Sequence, residues 1–342
     1  MSRKILHGVI GVLALLGGML GLALADARGA RAAEGAPYRI FMILFRGETE
    51  AERGFRDYLA DHAMPAVITV RDLDHDLSRL PAVIAEAKAL KPDLIYTWGT
   101  GIAQGVIGAY DQTDTSATIG DIPVLFDMVT SPVDARLVRE MGPSGRNITG
   151  VSHIPPLESQ IRAMQVYRTL TRLGIIYNPI EQNSASMVTK LRTLCDAQGI
   201  DLVAEPVPLD ATGHPRADVL PDLVAKVAAR EPQFLYIGPD TFIGENRDVL
   251  TREAMRHQIP VFTGTELEIR ESNAMVGLVA TYYALGKLAG YKAEQILVDK
   301  VPVGTIPVET LKRFSYIVKM SVARQLELYP PMALLDYAEL IP

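Results

Sequence analysis

The sequence predicts an α/β protein with two Rossmann-like lobes, each built on a parallel sheet and joined by a hinge that the chain crosses more than once. Of the 342 residues, 48% are hydrophobic and 22% charged, so the chain can bury a large core. After Pro37, short apolar runs alternate with longer amphipathic runs, which indicates parallel strands covered by helices. The alternation breaks at Pro155-Pro156 and restarts, and single cores stop growing at roughly 250–300 residues, so two lobes are expected.

The first set of elements begins with the continuous apolar run Ile40–Phe45, which has strand length and no polar alternation. Val67–Val70 is β-branched and predicts a second strand, while Leu77, Leu80 and Ile84 form a helical stripe. By the same reasoning, strands are predicted over 40–45, 67–70, 94–97, 122–126 and 148–152, with helices over 55–62, 77–87, 102–110 and 133–141.

The second set follows the same rule. Helices are predicted over 157–172, 184–198, 217–229, 246–257 and 282–298, and strands over 174–177, 201–205, 233–237, 259–263, 274–280 and 316–318. The tail either forms a small third domain or crosses back to complete both sheets, and we favour the second. Lobe 1 is then 37–151 plus 275–313 and lobe 2 is 152–274 plus 314–342, with crossovers near Ser152, Ala274 and Phe314.

The N-terminus is predicted to be a signal peptide over residues 1–25. Arg3 and Lys4 precede an uncharged run from Gly8 to Ala25, which ends in the small-x-small pattern Ala23-Leu24-Ala25. A permanent membrane anchor is the alternative, and Ala30-Arg31-Ala32 is a second candidate cleavage site. Export to the periplasm, which holds no ATP or NADH pool, disfavours most cofactor enzymes.

Several function classes are excluded by composition and by missing motifs. The net charge of −6 argues against nucleic-acid binding, and the single cysteine, Cys195, excludes an internal disulfide and multi-cysteine metal sites. Cys195 is expected to be a buried, inert thiol on a helix. Gly142–Gly145 lacks the Gly-Lys-Ser/Thr ending of a phosphate loop, and neither His-Glu-x-x-His nor Gly-x-Ser-x-Gly occurs. We therefore expect no cofactor, no metal and no catalysis.

Candidate ligand-binding residues follow the strands of lobe 1, because ligands of parallel sheets bind beyond the carboxyl ends of strands. Thr100 can either cap a helix or offer its hydroxyl to a ligand, and Thr130 or Ser131 is expected to cap the predicted helix 133–141. His153, at the last strand end, can contact ligand or serve the hinge. The candidates in this half are Phe45, Arg46, Trp98, Gly99, Thr100, Asp127, Thr130, Ser131 and His153.

The strand ends of the second half add Asn178, Asp240, Thr241 and Glu266, with Ser184 as the expected cap of the helix that follows Asn178. Asp240 and Glu266 are expected to face the crevice between the lobes, where a carboxylate suits a ligand ammonium. Helix capping is the alternative role for both acids.

Several segments together resemble a known family. They are Pro92–Thr100, Ile122–Val133, Gly145–Ser152, Gly174–Pro179, Tyr236–Thr241, Ile259–Phe262 and Ile306–Glu309. In this order and spacing, over nearly the whole chain after the leader, they resemble the ABC-transporter substrate-binding proteins of the TrpX-like type, which have the type I periplasmic binding protein fold.

This resemblance implies capture of a small solute between the lobes and delivery to an ABC permease in the inner membrane, by a protein expected to be a monomer. Some relatives bind aromatic amino acids, which makes these the first guess for the solute, while branched-chain amino acids, other carboxylates, nucleosides and small peptides remain open. Matching positions imply Thr100, Thr130 and Ser131 for the carboxylate and Asp240 for the ammonium. Stacking is assigned to Phe45, Trp98 and Tyr282. Two departures are His153, where the family commonly has an acid, and Arg46-Gly47-Glu48 in the first loop.

Two other functions remain open from the sequence. The same module could hand its ligand to a signalling receptor instead of a permease. A periplasmic hydrolase or isomerase could use Asp127, Asp240 or Glu266 as acid and base.

Overall fold

A computed structural model describes residues 36–342 and contains two large sheets with helices on their faces. The predicted two-lobed α/β architecture is therefore confirmed. The predicted signal peptide, residues 1–25, lies outside the described residues. Within residues 36–342, no helix combines the length and the apolar character needed to cross a bilayer.

The first sheet, in lobe 1, has five strands in the order β2-β1-β3-β4-β6, all paired in parallel. Its elements are β1 (Tyr38–Leu44), α1 (Glu50–Asp61), β2 (Ala66–Asp72), α2 (Leu80–Leu90), β3 (Leu94–Trp98), α3 (Thr100–Ile107), β4 (Val124–Val129), the short β5 (Gly142–Pro143) outside the sheet, and β6 (Ile148–Ser152). The strands carry apolar side chains on both faces, and one buried cluster lies on each side of the sheet.

The second sheet, in lobe 2, has seven strands in the order β14-β13-β11-β10-β9-β7-β8, and only the β11–β13 pair is antiparallel. Its elements are α4 (Leu157–Gln165), β7 (Arg172–Tyr177), α5 (Gln182–Gln198), β8 (Asp201–Pro206), α6 (Leu220–Ala228), β9 (Phe234–Ile237), α7 (Thr241–Glu245), α8 (Arg247–Arg256), β10 (Val261–Thr263), α9 (Glu266–Arg270) and β11 (Val276–Val279). The tail supplies α10 (Tyr282–Leu297), β12 (Pro307–Val308), β13 (Ser315–Lys319), α11 (Met320–Gln325), α12 (Met332–Leu335) and β14 (Glu339–Ile341).

The tail crosses between the lobes and completes both of them. Helix α10 packs on α1 of lobe 1, β12 pairs with β5, and β13 and β14 extend the second sheet. The second crossover lies later than predicted, because β11 pairs with β10 inside the second sheet. Lobe 1 therefore resumes after Val279 and not at residue 275. The first and third crossovers run side by side, since the Ser152 N–H donates to the Glu309 carbonyl over 2.9 Å.

Helices α1 and α10 approach each other at the glycines. An ideal Cβ built on Gly286 would lie 1.8 Å from the Ala51 carbonyl oxygen, and one built on Gly54 would lie 2.2 Å from the Tyr283 carbonyl oxygen. Backbone is thus in contact with backbone at this crossing. The contact brings α10, which comes late in the chain, onto the face of the first sheet.

Two predicted helices differ from the structure. Residues 133–141 form turns, with Arg136 at φ 57°, and the Arg146 guanidinium donates to the Leu137 carbonyl over 2.9 Å. The Leu137 carbonyl is satisfied by this side chain and the Arg136 carbonyl by the Tyr110 N–H, so these groups have partners without a helix. The predicted helix 157–172 ends at Gln165, because residues from Arg172 onward enter β7. Cys195 is buried in α5 as expected, and burial raises the pKa of its thiol to about 11.

Candidate functional site

A cleft of about 650 Å³ lies between the lobes, where the carboxyl ends of both sheets face each other. This volume falls within the range of roughly 300–1,000 Å³ typical of small-molecule sites. Most of the residues predicted from strand ends line it: Phe45, Arg46, Trp98, Gly99, Thr100, Thr130, His153, Asn178, Asp240, Thr241 and Tyr282. Apolar walls are added by Leu77, Ile102, Met128, Ile180 and Phe242.

The floor on the lobe 1 side is the start of α3. Gly99, at φ 83°, is the N-cap residue, and its N–H donates to the Asp127 carbonyl over 2.9 Å. Thr100 is the first residue of the helix, so it does not cap it, and its Oγ1 accepts from the Thr130 N–H over 3.3 Å. The Thr100 hydroxyl hydrogen and the unpaired N–H groups of the first turn remain available to an anionic ligand group.

Arg46 extends over the indole of Trp98, with its Cζ 4.9 Å from the ring centroid. Among residues 36–342, no hydrogen bond or ion pair satisfies the Arg46 guanidinium. The buried Trp98 Nε1 also has no partner within the described residues. Lobe 1 therefore presents an unpaired cation to the cleft, next to a buried N–H donor that is also unpaired.

His153 lies at the first crossover, between β6 and α4, and is only 6% exposed. Burial lowers the pKa of its imidazole to about 4, so the ring is neutral at pH 7. Its Nδ1 has no partner among the described residues. The neutral ring therefore keeps one unsatisfied nitrogen, Nδ1, buried behind the lining of the cleft.

Asp240 on the lobe 2 side is the N-cap residue of α7 and is already bonded. Its Oδ1 accepts from the Ile243 N–H over 2.9 Å, and its Oδ2 accepts from the Asn178 N–H and from the Ser184 hydroxyl, each over 2.6 Å. Ser184 lies inside α5 and does not cap it, contrary to the prediction. The capping role considered for Asp240 is thus observed, and few lone pairs remain for a ligand.

Glu181 is saturated in a similar way. Its two oxygens accept from the Thr241 N–H, the Thr241 hydroxyl and the Asn183 amide. Burial, followed by the nearby Asp240 charge, raises the pKa of its carboxyl. Glu181 therefore fixes the loop before α7 more than it faces the ligand.

Glu268 is the acid with a free oxygen. Its Oε2 accepts from the Thr265 hydroxyl over 2.6 Å, whereas its Oε1 accepts no hydrogen bond within the described residues. An ideal Cβ on Gly244 would lie 3.4 Å from Glu268 Oε1 and 3.9 Å from Arg46 Nη1. A carboxylate of lobe 2 and a guanidinium of lobe 1 thus converge on one space, which any side chain at position 244 would fill.

Three predicted site residues lie away from the cleft. Asp127 points into the core of lobe 1, where its Oδ2 lies 3.1 Å from the Tyr96 hydroxyl. Ser131 contacts the Lys190 Nζ over 3.2 Å in a neighbouring crevice, and no helix follows it to be capped. Glu266 accepts the Tyr282 N–H over 2.5 Å, so it holds the start of α10. The polar groups of Asp127, Ser131 and Glu266 thus each bind another part of the protein and do not face the cleft.

Sequence reasoning missed Glu268, Glu181, His75 and Glu245, all of which line the cleft. His75 follows β2, whose carboxyl end lies at the same sheet edge as those of β1 and β3. Extending the strand-end rule to this loop would have found it. Nothing in the sequence separates Glu268 from Glu266, because both lie in one helical turn.

Polar contacts join the lobes at the rim of the cleft. His75 Nδ1 lies 2.6 Å from Glu245 Oε1, and Gln104 donates to Gln182 over 2.7 Å. Asp134 of lobe 1 accepts from the Ser186 hydroxyl over 2.8 Å and pairs with Lys190 of α5. These contacts bridge the two lobes, and only those of Asp134 with Ser186 and Lys190 lie outside the lining of the cleft.

Comparisons with known proteins agree with this architecture. A family model described as "ABC transporter substrate binding protein" matches residues 45–341. A protein named "Tyrosine-binding protein", from Clostridioides difficile (strain R20291), is 26% identical over 287 residues, covering 82% of this chain and 77% of the relative.

Two solved structures are also similar in fold. A conserved domain protein from Vibrio cholerae has a TM-score of 0.76 at 20% identity, covering 89% of this chain and 99% of that one. An ABC domain in complex with L-Trp from Streptococcus pneumonia has a TM-score of 0.74 at 20% identity, covering 88% and 100%.

Proposed function

The chain belongs to the family of ABC transporter substrate binding proteins, and on that premise we propose that it captures an aromatic amino acid in the cleft between its lobes. The bound amino acid is delivered to an ABC permease in the inner membrane. Capture takes place in the periplasm, where the predicted signal peptide would direct the chain. The protein binds its solute without transforming it.

The observation that carries the proposal is the pair of unpaired charges across the cleft. The Arg46 guanidinium takes the carboxylate of the amino acid, together with the start of α3. The Glu268 Oε1 takes the ammonium. These two atoms approach the same space from opposite lobes, as the two charges on one α-carbon require.

This assignment moves the ammonium from Asp240 to Glu268. Asp240 accepts three hydrogen bonds from the protein, so an ammonium there would have to displace one of them. Glu268 has one oxygen without a donor, and the loss of its hydration is offset only when a cation arrives. Asp240 then acts by fixing the start of α7, from which Thr241 and Phe242 reach the cleft.

The walls of the cleft suit an aromatic side chain. Phe45, Trp98, Phe242 and Tyr282 line it from both lobes. Arg46 covers one face of Trp98, so the ligand ring stacks against the other aromatic side chains. The relative named for tyrosine and the fold neighbour in complex with L-Trp support the same ligand class.

The acids considered for a hydrolase or isomerase do not converge. Asp127 is buried below the cleft, Glu266 holds the start of α10, and Asp240 is saturated by protein donors. An acid–base pair needs both groups within hydrogen-bond reach of one substrate. This geometry favours binding over turnover.

Isothermal titration of residues 26–342 with L-tyrosine, L-tryptophan and L-phenylalanine tests the proposal. We expect at least one to bind with a Kd of about 1 μM or below, and a thermal shift when it exceeds Kd by about 100-fold. Tyramine lacks the carboxylate and 3-(4-hydroxyphenyl)propionate lacks the ammonium, so both should bind at least about tenfold more weakly than tyrosine. Absence of binding by all three amino acids would contradict the proposed ligand class.

Closure of the lobes gives a further expected result, for Asp134→Ala. This change removes the hydrogen bond from Ser186 and the ion pair with Lys190, both of which join the lobes outside the cleft. Because these contacts are partly exposed, we expect a modest effect: ligand affinity about threefold to tenfold lower. Small-angle scattering of the ligand-free protein should show a larger radius of gyration.

The matched control for closure is Asp111→Ala, which breaks an ion pair with Arg136 inside lobe 1. It should leave both the affinity and the scattering unchanged. Equal behaviour of the two variants would mean that the contacts of Asp134 do not favour closure.

A further inference from the structure

A buried triad lies directly beneath the cleft in lobe 1. The Tyr96 hydroxyl, on β3, lies 2.8 Å from Glu52 Oε1 of α1 and 3.1 Å from Asp127 Oδ2 of β4. All three side chains are fully buried. The proposed ligand contacts include none of them.

The geometry requires a proton on one of the acids. A phenol has one hydrogen to donate, so it can satisfy only one of the two carboxylates. The other carboxyl can stay within 3.1 Å of the phenol oxygen only by donating a proton to it. Consistent with this, burial and then the Glu52 charge raise the pKa of Asp127 to about 7, and burial raises the pKa of Glu52.

No cation within residues 36–342 compensates the pair of acids. Lys287 and Lys292 of α10, which packs over α1, are bound instead to Asp61 and Glu309. The phenol of Tyr282, also on α10, has Glu268 and Arg46 of the cleft as its charged neighbours, and the Arg46 guanidinium lies over Trp98. Met42 of β1 lies opposite Tyr96, and Arg39, the charged residue of β1, pairs with Asp93. Strand β6 carries only uncharged residues. Loss of the shared proton would therefore leave two unscreened negative charges on one hydroxyl.

Each acid of the triad also holds a backbone segment that lines the cleft, either the loop after β1 or the bulge of β4 at Met128. Glu52 Oε2 accepts from the N–H and the hydroxyl of Thr49, each over 2.7 Å, and so fixes the loop that carries Phe45 and Arg46. Asp127 Oδ1 accepts over 2.7 Å from the N–H of Met128. Met128 lines the cleft at φ 59°, a strained backbone conformation for a residue with a side chain.

We propose that Glu52, Tyr96 and Asp127 are positioning residues of the ligand cleft, and that one shared carboxylic proton holds the Arg46 loop and the Met128 bulge in the binding geometry. When the proton is lost, the two carboxylates repel each other and these two segments shift. Ligand affinity therefore falls as the pH rises through neutrality. The effect on affinity rests on the proposed function, whereas the effect on the two segments does not.

The shift of the Arg46 and Met128 segments can be measured without ligand. Trp98 is the only tryptophan in the chain, and it pairs with Asp127 in the sheet register. Trp98 fluorescence of the ligand-free protein, titrated from about pH 5.5 to about pH 8.5, should show one transition near the pKa of Asp127. Asp127→Asn mimics the protonated acid and should abolish the transition. Glu52→Gln removes the repelling charge and should do the same.

Histidines in the cleft are the competing source of a pH effect, because histidine titrates in this range. His75 and His214 both line the cleft, so all titrations are repeated in a His75→Gln/His214→Gln background. The pKa of His153, about 4, lies below the range. The transition should persist in this background and disappear when Asp127→Asn is added.

The pH dependence of ligand affinity is measured with the aromatic amino acid that binds best. Its Kd should rise about fivefold or more between pH 6 and pH 8.5 in the double-histidine background and stay constant when Asp127→Asn is added. A flat fluorescence titration, or a transition that survives both Asp127→Asn and Glu52→Gln, would overturn the positioning role. If no aromatic amino acid binds but the fluorescence transition follows the triad, the ligand proposal fails and the loop coupling stands.

Discussion

Replacing Gly286 with alanine is expected to destabilise lobe 1 by about 3 kcal/mol, the upper end of the usual cost of overpacking. The new Cβ would lie 1.8 Å from the Ala51 carbonyl oxygen and 2.8 Å from the Phe55 backbone nitrogen. Neither atom can rotate away as a side chain could, so α10 must move off α1. Urea denaturation followed by Trp98 fluorescence measures the loss, because the only tryptophan lies in this lobe.

Gly120→Ala is the matched control for this substitution. Gly120 is exposed, no atom lies within 4 Å of its ideal Cβ, and its backbone does not require glycine. Its urea midpoint should match the wild type or rise slightly, as expected when glycine is replaced at a compatible position. Equal midpoints for Gly286→Ala and the wild type would mean that α1 and α10 do not pack in contact.

Glu268→Gln is expected to lower affinity for the aromatic amino acid about 10- to 100-fold, the value of a charged hydrogen bond made away from water. The folding stability of the ligand-free protein should not fall. Burial raises the pKa of Glu268 in the folded state, so its stabilising contribution is fully present only below its unfolded pKa. That contribution is lost as the pH rises through the raised folded pKa, and a neutral glutamine avoids the loss.

The control is Glu266→Gln, two residues earlier and outside the cleft. Its carboxylate accepts from the Tyr282 N–H and pairs with Arg270, so the change should lower the melting temperature. Affinity for tyrosine relative to its deaminated analogue should stay at the wild-type ratio in Glu266→Gln and collapse in Glu268→Gln. An unchanged ratio in Glu268→Gln would exclude Glu268 as the ammonium acceptor.

The alternation of short apolar runs with longer amphipathic runs was enough to predict the two sheets. The strands of both lobes are short apolar runs bounded by helices, and most of their bounds lie within a few residues of the predictions. The prediction of a helix over 133–141 was wrong. Most of its apolar residues are buried by turns instead, and Arg146, which lies beyond the segment in sequence, donates a hydrogen bond to one of its carbonyls. The position of the second crossover was predicted too early, because the apolar sequence of β11 fits either sheet equally well.

The strand-end rule brought together most of the predicted site, since parallel strands deliver their carboxyl ends to one edge. It could not say which acid at a strand end is free. Asp240, Glu266 and Glu268 are alike in sequence, and two of them are consumed by backbone N–H groups at helix starts. Whether a carboxylate oxygen stays free depends on which N–H and hydroxyl groups the fold places around it.

The class of fold, the existence of two lobes and the edge at which the cleft opens could be predicted from the sequence, because they depend on hydrophobic period and chain order. The fold was needed to learn which groups face the cleft unpaired, that Arg46 and Glu268 meet across it, and that Asp127 lies beneath it with Tyr96 and Glu52. A polar side chain's role depends on the donors and acceptors that folding brings around it. Those partners lie up to tens of residues away, or in the other lobe, and no local pattern encodes them.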